Sequence, residues 1–312
     1  MIKEKSRTLF YRRVVWLNGA SGSLQKHLSK AHDTLVTTHD RTFPHRDGEI
    51  QGLTVEKRNS GLFVHLAYYT PHQATSLVPS PSKAKSKDTS PEPPPNKHEY
   101  LEGDIFFLVA GNHLVLCPSG TRESVALSYI KHVLRKTGKE KLLTRFNIEP
   151  VAKIDKVKLL QQEGVKKVSL NASLYEATME YAERKTTKMN LLHGVAEEVL
   201  ALFAEDRNKE LQKIGEMENL SVKLEISFDS RKKGGTLGRE RLEKTASMLI
   251  ADDEDKGFTI VTGNGKRLTA DEIRISDKVK LAPHGNSVFR SNTCEALEQY
   301  LSDLKESGML EQ

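Results

Sequence analysis

The chain has 312 residues, of which 37% are hydrophobic and 29% are charged, and its formal net charge is +6. It contains no run of about eighteen apolar residues, which excludes a membrane-spanning helix. The two cysteines, Cys117 and Cys294, form no CxxC motif, which excludes a redox or zinc site of that type. The start, "MIKEKSRTLFYRR", has cations without the apolar stretch of a signal peptide, so we expect a cytoplasmic protein.

The first 73 residues are expected to be rich in strands. Phe, Tyr, Val and Trp are dense at 9–17, and the apolar run at 62–69 predicts a second strand. Between these two strands the sequence favours turns rich in Gly, His and Asp, with one short helix around 24–31.

A change of composition separates this part from the next. Residues 74–98, "ATSLVPSPSKAKSKDTSPEPPPNKH", hold six of the eleven prolines and almost no large apolar side chain. Such a segment cannot bury enough surface to offset its ordering entropy. It is therefore interpreted as a disordered insertion or linker.

Residues 99–218 are expected to complete the first domain. Two apolar runs, 104–110 and 113–117, are joined by "AGN" and predict a hairpin. Helical periodicity at 121–136 and 154–163, with alternation at 165–170, predicts two helices and a further strand. Further helices are expected at 174–186 and 190–213.

Residues 219–312 are predicted to form a C-terminal domain. The expected order is a strand (221–228), a basic glycine loop, a helix (237–250), a strand (258–262), a "GNGK" turn, a strand (273–281) and a closing helix (293–305). The whole chain is thus predicted to be α+β, with mixed or antiparallel sheets, flanking helices and two domains.

The sequence offers little for enzyme chemistry, so we expect no catalytic residue, no cofactor and no metal site. GxxxxGK[ST], GxSxG and HExxH are all missing. The alternative is a metal-dependent nuclease that uses Glu102 and Asp104, or the imidazoles and carboxylates of the first fifty positions. Those polar residues are His27, His32, His39, His45, Asp33, Asp40 and Asp47. No two of these histidines have the i,i+4 spacing of a helical metal site, and polar loop residues are the simpler interpretation.

Positive charge is concentrated in one stretch. Residues 131–170 contain eleven Lys and Arg against four Asp and Glu, whereas 219–312 contain fifteen against sixteen. Cations gathered on one surface bind the phosphates of duplex DNA and release counterions. The predicted contacts are Lys131, Arg135, Lys136, Lys139, Lys141, Arg145, Lys153, Lys156, Lys166 and Lys167. Complementing helix dipoles and keeping the surface soluble is the alternative role of such residues.

A second basic element precedes the helix at 237–250. Paired glycines allow successive amides to converge on an anion, and the helix start adds its own amides and dipole. The residues predicted to contact phosphate are Arg231, Lys232, Lys233, Gly234, Gly235, Arg239 and Arg241. An exposed surface loop is the alternative. With aromatic residues at only 6%, stacking on single strands is disfavoured and contact with duplex backbone is favoured.

Short central segments resemble the RexA exclusion proteins of lambdoid phages. They are "EGD" at 102–104 followed by "VAGNHLVLC", then "NIEP" at 147–150, then "VKKVSLNASL" at 165–174. The resemblance covers about 75 residues, and no residue role transfers with it. It implies a dimeric, sequence-nonspecific binder of double-stranded DNA that works with a partner in phage defence, often a membrane protein.

The residues and the resemblance together lead to one functional hypothesis. The protein is expected to bind double-stranded DNA through phosphates, as a sensor or regulator in bacterial anti-phage defence. It is expected to be a cytoplasmic homodimer, associated with the nucleoid or recruited to the inner membrane by an effector, without inserting into the membrane itself. The alternatives are a metal-dependent nuclease and a module that recognises an acidic protein, including a phage-encoded one.

Overall fold

The computed structural model describes residues 4–81, 86–173, 221–228, 236–251 and 257–311. The elements up to residue 150 are β1 (Lys5–Trp16), α1 (Leu24–Thr34), β2 (Thr42–His45), β3 (Gly48–Arg58), β4 (Gly61–Tyr69), β5 (Thr75–Leu77), β6 (Ser90–Glu92), β7 (Gly103–Ala110), β8 (His113–Ser119), α2 (Ser124–Lys136), a 3-10 turn (Glu140–Leu142) and β9 (Phe146–Pro150).

The remaining described elements are α3 (Ile154–Glu163), β10 (Val165–Ser173), β11 (Ser221–Ser227), α4 (Thr236–Ala251), β12 (Gly257–Thr262), β13 (Arg267–Thr269), α5 (Ala270–Ile273), β14 (Ser276–Leu281), β15 (Pro283–His284), β16 (Ser287–Val288), α6 (Arg290–Glu306) and a 3-10 turn (Met309–Glu311). Every described ladder between these strands is antiparallel, and helices flank the sheets. The predicted α+β class is confirmed.

One compact unit is built from described residues of 1–152 and 274–311. Its sheet has the strand order β14-β1-β8-β7-β4-β3-β2, and β9 also pairs with β1. The N-terminal strand β1 is long enough to pair with three partners along its length, namely β14, β8 and β9. Strands from both ends of the sequence therefore meet in one sheet.

Both faces of this sheet are covered by helices. On one face, α1 and α2 bury Leu28 and Ile130 against Phe107. On the other face, α6 buries Leu297 against a cluster that includes Phe106. Because neighbouring residues of β7 serve opposite cores, this strand is a continuous apolar run rather than an alternating one.

The expectation of turns between the first two predicted strands was wrong. Residues 42–58 form β2 and β3 instead. The register of β3 against β4 shifts between Gly52 and Thr54, so that Leu53 is an extra residue and is 37% exposed. Such a bulge interrupts the two-residue alternation by which a strand is recognised in a sequence.

A second compact unit is built from described residues of 153–250 and 256–273. Its four strands have the order β11-β10-β12-β13. From α4, Leu242, Ala246 and Leu249 are buried at helical spacing, and from the sheet Val168 and Ile260 are buried. The "GNGK" segment is the turn between β12 and β13, as the sequence indicates.

The two compact units divide the chain at other positions than the predicted domains do. The predicted domain boundaries stay a prediction. Segment 219–312 contributes residues to both units.

Within segment 74–98, β5 and β6 pair as a short ribbon whose residues are all exposed. The predicted helices at 174–186 and 190–213 lie outside the described residues. Among the helices that are described, none has the length and apolar character needed to cross a membrane.

Candidate nucleic-acid interface

Six of the predicted cations lie on α2 and in the segment between α2 and β9, within the first unit. We name this group the α2 cluster: Lys131, Arg135, Lys136, Lys139, Lys141 and Arg145. The helix α2 buries its apolar side in the core, so its cations lie on the opposite, exposed side. The 3-10 turn after α2 then carries the chain to β9.

Hydrogen bonds to backbone carbonyls hold this segment against the rest of the unit. Lys136 Nζ donates to the carbonyl of Asp40 at 2.7 Å, and Lys139 Nζ donates to the carbonyl of His27 in α1 at 2.8 Å. The backbone of Arg145 accepts a hydrogen bond from the amide of Leu17 at the end of β1, at 2.8 Å. The cations are therefore supported by α1, by the loop before β2 and by β1.

Neighbouring acids offset the charge of the α2 cluster only in part; one of them is Asp40, which interacts with Lys136. In the part of the chain that the structure describes, none of its six cations lies within ion-pair distance of a carboxylate. The pKa of Lys139 is lowered, first by burial and then by Lys30, and Asp33 opposes this only in part. Asp33 itself pairs with Lys57 at 2.5 Å. This surface therefore keeps its positive potential.

Three residues of this surface were not among the predicted phosphate contacts, and His27 was named only for the alternative metal site. Lys30 on α1 lies close enough to Lys139 to affect its pKa, although its own helix is not part of the basic stretch. His27 packs at a 6.0 Å centroid distance from Trp16, and His132 stacks on Phe43 at 3.8 Å. A polar stripe on α1, opposite its buried leucines, was the available signal for Lys30.

The potential of the cluster is also evident in these two histidines. The pKa of His27 is lowered by burial, then by Lys139 and Lys30. The pKa of His132 is lowered by burial, then by Lys136 and Arg135. In both cases the cations act in the same direction as burial, because a charged imidazole is disfavoured beside other positive groups.

The remaining cations of the predicted stretch belong to the second unit, where some are paired. These are Lys153, Lys156, Lys166 and Lys167. Lys156 forms an ion pair with Asp155 at 2.9 Å, and Lys167 forms one with Glu225 at 2.6 Å. The structure thus gathers the α2 cluster within one unit, and a single strip that continues to residue 167 stays a prediction.

Only part of the predicted glycine loop and its following helix is described. Arg231, Lys232, Lys233, Gly234 and Gly235 lie outside the described residues. The two other predicted contacts, at positions 239 and 241, are exposed in the first turns of α4. The guanidinium at position 239 lies 5.6 Å from the centre of the ring at position 228, a cation–π distance.

Two of the residues considered for a nuclease site, His32 and Asp40, make hydrogen bonds within the protein. His32 is buried and bonded through both ring nitrogens, to the carbonyl of Leu28 and to the hydroxyl of Tyr129. The carboxylate of Asp40 accepts bonds from the amide and the hydroxyl of Thr37. Among the described residues, no group of three or more His, Cys, Asp or Glu is arranged to hold a metal ion.

Asp104 is a buried structural carboxylate rather than an exposed ligand. It is 1% exposed, and its Oδ2 accepts hydrogen bonds from the Ser287 hydroxyl and from His65 Nε2, the latter at 3.1 Å. It thereby ties the β15–β16 turn to the main sheet. Glu102, by contrast, is exposed and lines an open cavity of about 530 Å³ together with Tyr100.

Comparison with known proteins assigns no family. No family model matches the chain, and no curated protein matches it in sequence. The assignment of the candidate site therefore rests on the geometry and charge of its own residues.

Proposed function

We propose that the protein binds double-stranded DNA without sequence preference, through phosphate contacts made by the α2 cluster. The observation that carries the proposal is the set of six cations without a carboxylate partner among the described residues. Lysine and arginine contacts to phosphate position a protein on duplex DNA without reading bases. Lys30 on α1 extends the same surface.

Helix-dipole complementation accounts for only part of this cluster. Arg135 and Lys136 lie in the last turn of α2, where positive charge stabilises the helix end. That effect fades within one turn. Lys141 and Arg145 come after the helix has ended, so their position favours a role beyond helix stability.

The salt dependence of binding tests the proposal directly. Each neutralised phosphate contributes a slope of about −0.9 to the logarithm of affinity against the logarithm of salt concentration. With four to six contacts, the affinity is expected to fall by about 10² to 10³ between 50 and 200 mM salt. Fluorescence anisotropy with a labelled duplex measures this slope, and a flat dependence would rule out counterion release.

Two charge-reversal variants test whether the α2 cluster makes the contacts to DNA. The triple variant Lys131→Glu, Lys141→Glu, Arg145→Glu changes exposed members of the α2 cluster, and is expected to make the salt slope about 2.7 smaller. The control reverses three exposed lysines elsewhere in the same unit, at positions 87, 278 and 305. Both variants change the net charge equally. Equal losses of affinity would show that total charge, not this surface, drives binding.

The biological role is proposed from the resemblance to RexA exclusion proteins. On that ground we propose a sensor or regulator of anti-phage defence that acts in the cytoplasm as a homodimer. It would associate with the nucleoid, or be recruited to the inner membrane by its effector, a membrane protein. Plaque assays with cells that carry the wild-type chain or the triple variant test this role, and equal protection would separate defence from DNA binding.

A further inference from the structure

Two histidines are embedded in the proposed phosphate-binding surface. His27 belongs to α1, and its backbone carbonyl accepts the hydrogen bond of Lys139. His132 lies in the same turns of α2 as Arg135 and Lys136. Both side chains are half-buried, so they are close to the surface yet not fully hydrated.

Their ring nitrogens are available for protonation. Neither histidine makes a side-chain hydrogen bond to any other residue that the structure describes. His32, one turn along α1 from Leu28, is different, because both of its ring nitrogens are already bonded. A proton added to His27 or His132 therefore breaks no hydrogen bond within the described structure.

The groups that face these imidazoles are almost all positive. Around His27 they are Lys30 of the same helix and Lys139 after α2, with the ring of Trp16 from β1. Around His132 they are Arg135 and Lys136. From β2, the ring of Phe43 stacks on His132. Among the acids, Asp33 pairs with Lys57 and also acts on Lys139, and Asp40 binds Thr37 and also acts on Lys136. Glu140 lies next to Lys139 in the chain.

We infer that duplex binding at the α2 cluster takes up protons on His27 and His132, so that affinity for DNA rises as the pH falls from 7.5 to 6.0. The inference rests on the proposed function and adds its regulation. Burial and, after it, the neighbouring cations disfavour the charged imidazoles. Phosphates placed among these cations offset the cations' contribution and stabilise the imidazolium form directly. By linkage, whatever favours protonation in the complex makes acid favour the complex.

The expected size of the effect follows from the same linkage. A histidine whose pKa rises by one pH unit on binding changes the affinity by up to about tenfold. Titration is partial across this pH range, so the two histidines together are expected to give about a tenfold increase.

The experiment uses the full chain and a labelled duplex at constant ionic strength. Anisotropy at pH 7.5 and 6.0 compares the wild type with the double variant His27→Gln, His132→Gln. The variant His98→Gln serves as the control, because His98 is an exposed histidine outside the α2 cluster. We expect about tenfold tighter binding at pH 6.0 for the wild type and the control, and a much smaller change for the double variant.

A second measurement does not depend on the variants folding. Calorimetry of the wild-type chain with duplex in PIPES and in imidazole buffers reports proton uptake, and NMR of the histidine ring protons assigns it to residues. Binding without proton uptake, or uptake at other histidines, would overturn the inference and leave the proposed function intact. Absence of binding at both pH values would overturn the proposed function itself.

Discussion

The stability of the first unit is expected to fall steeply in mild acid because of His32. Since the carbonyl of Leu28 can only accept, Nδ1 of His32 carries the proton and Nε2 accepts the Tyr129 hydroxyl at 2.9 Å. A second proton on Nε2 would leave the buried Tyr129 hydroxyl without an acceptor. Burial accordingly lowers the pKa of His32 from 6.5 to about 4.

The sign and size of the effect follow from linkage. Between pH 6.5 and about 4 the unfolded chain binds the proton and the folded chain does not, so stability is lost as the pH falls. One pH unit of difference is worth about 1.4 kcal/mol. His32 alone is then expected to cost about 2 kcal/mol between pH 7 and pH 5, and about 3 kcal/mol below pH 4.

Urea unfolding followed by tryptophan fluorescence measures this loss, because Trp16 is the only tryptophan and lies in the same unit. The variant His32→Gln provides the comparison at both pH values. It is expected to be less stable at pH 7, where it lacks the paired imidazole, and to lose about 2 kcal/mol less on acidification. If wild type and variant lose the same free energy between pH 7 and pH 5, His32 is not the group responsible.

Three further changes test the buried parts of the first unit. Arg12 Nε pairs with Glu123 Oε2 at 2.8 Å, and both side chains are buried. Glu123→Gln leaves the buried guanidinium without its counter-charge, so the free energy of unfolding measured with urea is expected to fall by about 3–5 kcal/mol. Asp104→Leu removes the acceptor of two hydrogen bonds, one buried and one partly buried, and a loss of about 2–4 kcal/mol is expected. Gly61→Ala places a Cβ 2.3 Å from the Val109 carbonyl oxygen, where φ is +148°, so the melting temperature should fall by the equivalent of about 1–3 kcal/mol.

Two of these changes, at Glu123 and at Gly61, have a matched control. The pair Arg12→Met, Glu123→Leu removes both charges together and is expected to recover most of the stability, unlike the single change. For the glycine, Gly257→Ala meets nothing within 4 Å and is expected to be neutral. Equal effects of the two glycine variants, or no recovery in the double variant, would contradict the packing and charge arguments respectively.

Elements with uninterrupted periodicity were predictable from the sequence. The helix expected at 154–163 is α3 with the same bounds, and the apolar runs around "AGN" are β7 and β8. Their signals are local: helical spacing, a glycine with positive φ at position 164, and a tight turn. The bulge in β3 removed that signal, and the edge strand β2 is too short to show one.

The candidate site was predictable only in part, because the charge pattern along a sequence does not show which distant elements pack next to one another. The cations at 131–145 belong to one helix and the turn after it, so their closeness along the chain can be read from the sequence, while their role in binding stays a prediction. The contact of Lys139 with His27 spans 112 positions, so no short-range pattern could place α1 beside it. Lys167 was counted as free charge, whereas Glu225 from the neighbouring strand pairs with it.

The central place of β1 has a consequence for synthesis on the ribosome. One edge of β1 pairs with β14, which lies about 125 residues beyond the end of β9. At 5–20 residues per second, a nascent chain waits roughly 6–25 s for this partner, and longer for α6, which covers one apolar face. Throughout that interval an open strand edge and an uncovered core face emerge together, which makes the unfinished chain a substrate for ribosome-associated chaperones.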